Sequence, residues 1–186
     1  MQNCPKNCPL LIQILKAMSE MKFLIIHCSA TYEGQDVSAE TIRRWHTAPA
    51  PKGRGWSQVG YSDLILLNGD RHQFVKHDGD RFIDKEEITN GVKGINSISR
   101  HVCYIGGVDK ATKKAKNTLT ADQKETLLSI IKEVLAYKPD IQIAGHNQFD
   151  NKACPSFSVP KFLRANGFQE KNIYQKDPLG YANKLP

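Results

Sequence analysis

The chain has 186 residues, and its 26 lysines and arginines exceed its 19 acidic residues, so its formal net charge is +7. With 40% hydrophobic and 24% charged residues it has the composition of a globular protein, which excludes a wholly disordered chain, a collagen or a coiled coil. No apolar run reaches the ~18 residues of a membrane span, and the excess positive charge favours a polyanionic partner such as nucleic acid, anionic lipid or an acidic polymer.

The first 20 residues differ in pattern from the rest of the chain. Their short apolar stretch over 9–15 contains Gln13 and is followed by Lys16, so we expect an N-terminal extension and no secretory signal peptide. On this basis the protein is expected to be cytoplasmic on synthesis. The chain has five cysteines, an odd number, which favours reduced thiols or a metal ligand over a disulfide framework.

From residue 22 onward, apolar runs alternate with helical patterns. The run 23–26 predicts a buried strand. Ser38 predicts the N-cap of a helix in which Ile42 and Trp45 share one face. The segment 48–55, with two prolines and two glycines, predicts a loop.

The middle of the chain predicts a β-hairpin. Strands are expected over 61–67 and 71–75, joined by a type I′ turn at the Asn-Gly pair 68–69, because this pair readily adopts positive φ angles. Residues 78–100 predict mostly loop, and 101–105 predicts another strand.

The last third of the chain begins with a lysine-rich loop over 109–117. A capping box over 120–123 predicts the start of a helix that ends before Pro139. A short strand over 141–144 and a helix over 158–165 follow.

Strands interleaved with helices, together with a hairpin, predict an α/β fold with a central mixed β-sheet flanked by helices. We expect a single domain over 21–167, preceded by an extension over 1–20 and followed by a C-terminal tail over 168–186.

Two histidines and a cysteine are the strongest candidates for chemistry. His27 and His146 end predicted strands, and Cys154 lies on the loop after the second of these. Two imidazoles and a thiolate suit an open zinc site, in which a fourth position holds a water acidified to a pKa of roughly 7. Lys152 and Tyr61 could reach the same edge of the sheet. Spacing alone leaves a second interpretation open, since isolated His and Cys residues in strands are often core residues.

A set of short motifs adds weight to the metal interpretation. They are Ile26-His27-Cys28-Ser29-Ala30-Thr31, Ile42-Arg43-Arg44-Trp45-His46, Gly55-Trp56 with Val59-Gly60-Tyr61, Ile105-Gly106-Gly107-Val108-Asp109, and Lys152-Ala153-Cys154-Pro155-Ser156-Phe157. In order and spacing, over about 22–166, the chain resembles the phage lysozyme-type N-acetylmuramoyl-L-alanine amidases, which are relatives of the peptidoglycan recognition proteins.

This resemblance implies a zinc hydrolase that cuts the amide between N-acetylmuramic acid and the L-alanine of the stem peptide. It implies one zinc ion per chain, held by His27, His146 and Cys154, with Tyr61 and Lys152 as catalytic residues. Tyr61 would hydrogen-bond the attacking water and Lys152 would stabilise the tetrahedral intermediate. The proton for the departing nitrogen could come from either residue.

Substrate contacts follow less directly from the sequence. Trp56 could stack on a sugar or anchor its loop, His46 could line the cleft or pack at a helix end, and Asn96 is a further contact candidate. The chain departs from the resembled family at Ser62, where relatives often have an aromatic residue or His, and at Gly91, where they commonly have His. Its loop over 48–55 is also a few residues longer. These departures concern contacts to the stem peptide.

The remaining cysteines and histidines have simpler interpretations. Cys28 alternates to the strand face opposite His27, so we expect it and Cys103 in the core. His72, His77 and His101 are expected on the surface or in loops.

Two other functions remain as alternatives. The first is a recognition module that binds muropeptide without cutting it, which would need none of Tyr61, Lys152 and Cys154. The second is a nucleic-acid-binding domain, suggested only by charge and lacking an array of stacking aromatics. The expected partner is therefore peptidoglycan, which a monomer would reach after release or non-classical export. No membrane span and no nucleic-acid partner are expected.

Overall fold

The computed structural model of the chain describes residues 19–178, 180 and 185. The strands are β1 (Ser19–Glu20), β2 (Phe23–Cys28), β3 (Thr31–Tyr32), β4 (Asp63–Ile65), β5 (Arg71–Gln73), β6 (Phe82–Ile83), β7 (Ser99–Tyr104), β8 (Gly107–Val108) and β9 (Gln142–Gly145). The α-helices are α1 (Ala39–Thr47), α2 (Ala121–Tyr137) and α3 (Val159–Ala165).

Five of these strands form the central sheet, in the order β5-β4-β7-β2-β9. The strands β4, β7, β2 and β9 are parallel to their neighbours, and β5 pairs antiparallel with β4 at one edge. The predicted α/β fold with a mixed sheet is confirmed. Two small two-stranded sheets, β1-β6 and β3-β8, lie outside it.

Helices cover both faces of the sheet, and the alternation of side chains along β2 shows which residues meet them. Leu24, Ile26 and Cys28 belong to a core cluster with residues of α2 and α3. Ile25 belongs to a cluster on the other face, toward which His27 also points because side chains alternate along a strand. Because the residues on either side of His27 are packed into these clusters, the backbone at His27 is fixed in position.

The predicted helix starts are confirmed. Ser38 Oγ accepts a hydrogen bond from the Thr41 amide at 3.2 Å at the start of α1, and Thr120 Oγ1 accepts from the Gln123 amide at 3.1 Å at the start of α2. The face of α1 that carries Ile42 and Trp45 is only partly buried. Ile42 is buried, but the Trp45 residue is 38% exposed and borders a surface cleft.

The hairpin is confirmed, but its predicted turn type is wrong. The Gly69 amide donates to the Leu66 carbonyl at 3.0 Å, and the Leu66 amide donates to the Asp70 carbonyl at 2.8 Å. Gly69 has φ of +89°, whereas Asn68 is not among the residues with positive φ. The loop therefore has three residues and closes with glycine in the left-handed region, which is the second common hairpin geometry.

The predicted domain limits at residues 20 and 167 stay predictions. Most of the predicted N-terminal extension, residues 1–18, lies outside the described residues, whereas Ser19–Glu20 pairs with β6. Beyond residue 167, Ile173 is buried and the Tyr174 amide donates to the Ile143 carbonyl at 3.1 Å. Among the described residues, no helix is both long and apolar enough to cross a membrane.

Candidate metal centre

Strand order brings the three predicted metal ligands together. Because β2 and β9 are adjacent and parallel, with Ile26 opposite Gly145, the residues that follow, His27 and His146, lie side by side at one edge of the sheet. The loop before α3 places Cys154 beside them. One ligand atom from each of the three side chains lies within 4.8 Å of the others.

The spacing of these atoms fits a zinc ion. His27 Nδ1 and Cys154 Sγ are 3.7 Å apart. Tetrahedral zinc with bonds of about 2.1 Å to nitrogen and about 2.3 Å to sulfur separates two such atoms by about 3.6 Å. Two imidazoles and one thiolate also leave a fourth position open, as catalytic zinc sites require. The residues present therefore fit the group.

Burial keeps the two histidines neutral, as metal ligands must be. Burial, reinforced by the charges of His146 and His101, holds the pKa of His27 well below its usual range. Burial, with Lys152 nearby, lowers the pKa of His146 to about 4. Both rings therefore keep a free lone pair at neutral pH.

The thiol of Cys154 has the opposite tendency. Burial raises its pKa well above the usual value, so the thiol keeps its proton in the absence of a nearby cation. The Cys28 amide points at it, 3.2 Å from Cys154 Sγ, and can donate a hydrogen bond to a thiolate. A divalent cation bound here would stabilise the thiolate and so make this sulfur a ligand.

Tyr61 and Lys152 both border the cleft that contains the three ligands. The Tyr61 ring centroid is 5.2 Å from that of His27. Burial raises the pKa of Tyr61 well above its usual value, so its hydroxyl acts as a hydrogen-bond donor and not as a base. Lys152 Nζ lies 2.7 Å from Asp150 Oδ2, and the same carboxylate oxygen is 3.7 Å from His146 Nε2.

The cleft has a volume of about 450 Å³, and an aromatic pair forms one wall of it. The rings of His46 and Trp56 stack at 5.1 Å with an angle of 25° between their planes. His46 Nδ1 accepts a hydrogen bond from the Gly60 amide at 3.2 Å. Burial, reinforced by Arg54, lowers the pKa of His46 to about 4. His46 therefore both anchors the loop and lines the cleft.

Asn96 lies apart from this wall. It lines a neighbouring groove of about 470 Å³ that Trp56 and Lys152 share with the cleft. Its Oδ1 accepts a hydrogen bond from the Val92 amide at 2.8 Å, so part of its polar capacity holds its own loop. The roles of His46, Trp56 and Asn96 toward substrate stay predictions.

Other sequence expectations have mixed outcomes. Cys28 and Cys103 are buried in the core as predicted. His72 lies half-buried on the edge strand β5, and His77 lies in a loop with a buried imidazole. The surface position expected for His101 is wrong, since the residue is 0% exposed.

Sequence reasoning missed two polar neighbours of the ligands. His101 Nδ1 lies 3.0 Å from His27 Nε2, and Asp150 lies beside His146. The sequence signal for the burial of His101 was its position two residues before Cys103 in an apolar strand. Asp150 carried a weak signal, its i, i+4 spacing from His146.

Comparison with known proteins supports a single family. No family model matches the chain. The endolysin of Enterobacteria phage K11 is 32% identical over 155 residues, which cover 82% of this chain and 91% of that protein. The endolysin of Escherichia phage T7 is 33% identical over 145 residues, which cover 77% and 85%.

Solved structures show the same fold at lower identity. The Ph2119 endolysin from a Thermus scotoductus bacteriophage has a TM-score of 0.59 at 19% identity, covering 81% of this chain and 87% of that one. The N-acetylmuramoyl-L-alanine amidase LysC from Clostridium intestinale has 0.59 at 15% identity, with the same coverage. A complex of peptidoglycan recognition proteins LCa and LCx bound to tracheal cytotoxin has 0.58 at 17% identity, covering 83% and 85%.

Proposed function

The chain belongs to the phage endolysin family and is a peptidoglycan hydrolase, and on this premise we propose that it is a zinc-dependent N-acetylmuramoyl-L-alanine amidase. Its substrate would be the amide that joins N-acetylmuramic acid to the L-alanine of the stem peptide. The convergence of His27, His146 and Cys154 on one point is the observation that carries this proposal.

These three residues would hold the zinc ion. When bound, zinc acts as a Lewis acid and lowers the pKa of water to roughly 7, which supplies a nucleophile for amide hydrolysis at neutral pH. The buried, neutral imidazoles are ready for coordination, and only the Cys154 thiol must lose its proton.

Tyr61 and Lys152 would act on the substrate amide. The protonated Tyr61 hydroxyl orients the attacking water by a hydrogen bond. The Lys152 ammonium places a positive charge where the carbonyl oxygen becomes negative in the transition state. The nitrogen of L-alanine takes up a proton as it leaves, and either of these two groups can donate it.

The cleft and its neighbouring groove would hold the polymer on both sides of the cut bond. Trp56, which stacks on His46 in the wall of the cleft, would contact a sugar ring of the polymer. Asn96 in the adjoining groove would face the stem peptide. A pure recognition module needs a groove of this kind but has no use for an open metal site, so the donor set favours catalysis.

The test is digestion of purified cell-wall sacculi by the zinc-loaded protein, with products identified by mass spectrometry. We expect release of intact stem peptides with a free L-alanine amino group, and loss of this release on chelation. His146→Ala should abolish release, whereas the matched variant His72→Ala, on the edge strand β5, should leave it unchanged.

Three results would contradict the proposal. Cleavage between two sugars would replace the amidase assignment with a glycosidase. Undiminished release by the chelated protein would remove the metal from the reaction. Binding to sacculi with no product would favour the recognition module.

A further inference from the structure

A buried histidine outside the proposed ligand set contacts the first ligand. His101 lies on β7, directly beside β2 in the central sheet, and is opposite Ile25 in the parallel register. His27 follows Ile25 by two residues on the same face of the sheet, so the two imidazoles meet diagonally across the strands. His101 Nδ1 lies 3.0 Å from His27 Nε2, and the His101 residue is 0% exposed.

The distances around His27 assign its two ring nitrogens to different tasks. Its Nδ1 faces Cys154 Sγ at 3.7 Å, so Nδ1 is the atom turned toward the metal position. A neutral imidazole that presents a lone pair at Nδ1 carries its proton at Nε2. His27 Nε2–H then donates to His101 Nδ1, and His101 holds its own proton on Nε2.

We propose that His101 is a positioning residue for the zinc ligand His27, and that Gly91 is glycine in order to leave room for it. The inference rests on the proposed metal site and concerns how that site is held. A hydrogen bond to the far nitrogen of a metal-binding histidine fixes both its tautomer and the rotation of its ring.

The space around His101 supports the second half of this inference. A Cβ atom placed on Gly91 would lie 2.3 Å from His101 Nδ1 and 2.4 Å from Cγ. Contacts this short do not occur between real atoms, so any side chain at position 91 would displace the imidazole. Gly91 borders the same cleft as the metal ligands, whereas His101 lies behind it and is fully buried.

Among the described residues, His101 is the hydrogen-bond partner of His27 Nε2. His101 Nε2 is buried with no partner of its own within the part of the chain that the structure describes. Burying an imidazole nitrogen without a hydrogen-bond partner lowers the stability of the folded protein. A role in positioning His27 explains why a histidine occupies this buried site in spite of that cost.

The experiment compares two substitutions whose side chains have the same branching and the same number of heavy atoms. His101→Asn keeps an acceptor, because Asn Oδ1 occupies the place of His Nδ1, two bonds from Cβ. His101→Leu fills the same space without an acceptor. Zinc affinity is measured by competition with a chromogenic chelator, and ligand geometry by the absorption spectrum of the cobalt-substituted protein.

We expect His101→Leu to weaken zinc binding by about 10- to 100-fold, the usual effect of losing such a partner, and to shift the cobalt bands. His101→Asn should bind zinc within a few-fold of the unmodified protein. Equal affinity in all three proteins would overturn the proposal. Equal weakening in both variants would also overturn it, because it would show that volume and not the acceptor matters.

A double-mutant cycle tests the role of Gly91. Gly91→Ala should weaken zinc binding when His101 is present and should have little further effect in the His101→Ala background, where the ring is absent. Additive effects would overturn the pairing. The proposed function fails separately: if the unmodified protein binds no zinc at the three-ligand site, the amidase mechanism is wrong whatever the variants do.

Discussion

Lys152 stands at the mouth of the cleft, where its side chain is 55% exposed and pairs with Asp150. It is not a metal ligand in the proposed mechanism, so its contribution to turnover can be separated from that of the metal. Lys152→Ala should lower kcat on sacculi by about 100-fold or more, the usual effect of removing one group that stabilises an oxyanion.

Zinc content should stay at one ion per chain in Lys152→Ala, as measured by elemental analysis. Lys124→Ala, which removes an exposed cation from α2, serves as the control for loss of charge. Equal losses in the two variants would show that Lys152 acts only by attracting an anionic polymer.

The cluster of His27, His146 and Cys154 could be predicted from sequence because each residue has a local signal. His27 and His146 end apolar runs, and Cys154 lies in a motif that resembles a known family. His101 has only a weak local signal, its position two residues before Cys103, because its burial comes from the position of β7 between β2 and β4. Strand order depends on contacts between distant parts of the chain, and a single sequence does not contain it.

At the scale of elements, the helix starts were predictable and the hairpin turn was only partly so. Ser38 and Thr120 cap helices through bonds to residues three positions ahead, so a short window of sequence contains the whole interaction. The Asn-Gly pair correctly signals a turn, but the number of loop residues depends on where the flanking strands pair. The contact of Gly69 with α2 joins parts of the chain that are distant in sequence, so the local sequence pattern does not indicate it.

This contact gives the glycine at the turn a measurable role. Gly69 has φ of +89°, and a Cβ added there would lie 2.6 Å from Asp122 Cβ in the first turn of α2. Gly69→Ala should therefore destabilise the protein by about 2–4 kcal/mol, from a strained φ and from displacement of the helix.

Gly34→Ala is the matched control, because Gly34 also has a positive φ, +72°, but nothing lies within 4 Å of the added atom. It should cost only about 1 kcal/mol. Urea denaturation of both variants measures the difference, and equal losses would mean that α2 does not press on the turn.

At the scale of the whole molecule, a buried ion pair within the sheet belongs to a charge network that reaches α2. Arg100 on β7 and Asp63 on β4 have almost no exposed surface, and Arg100 Nη2 lies 2.9 Å from Asp63 Oδ2. Arg71 also contacts Asp63, and both arginines reach Glu133 on α2. The pattern of apolar residues predicted these strands but not the charges between them.

Removing one partner of this pair should be costly. Asp63→Asn removes the buried charge that faces Arg100 at 2.9 Å and leaves it only the half-exposed Glu133 carboxylate at 3.4 Å, which should lower the free energy of unfolding by about 3–5 kcal/mol. Asp70→Asn, in the exposed hairpin turn, should change it by less than about 1 kcal/mol. Chemical denaturation measures both, and a small effect of Asp63→Asn would show that water reaches Arg100.

His77, which is close enough to Arg100 to be affected by its charge, should make the free energy of unfolding depend on pH. The His77 imidazole is 4% exposed. Burial, reinforced by Arg100, lowers its pKa to about 3 from an unfolded value of 6.5, although Glu87 Oε2 lies 3.3 Å from its Nδ1 and favours the protonated form. Between these two pH values the unfolded chain binds a proton that the native protein does not, so the free energy of unfolding falls as the pH falls. His77 alone should contribute up to about 1.4 kcal/mol per pH unit in this window.

His77→Gln removes the titrating group, so its stability should depend less steeply on pH by that amount. Urea denaturation at several pH values between 7 and 5, with a chelator present to keep metal binding out of the comparison, measures the two slopes. A difference in the free energy of unfolding at pH 7 would reflect altered packing in the variant. The comparison therefore uses the slope of this free energy with pH. Parallel curves for the two proteins would show that the native state protonates His77 as readily as the unfolded chain, because the Glu87 carboxylate offsets its burial.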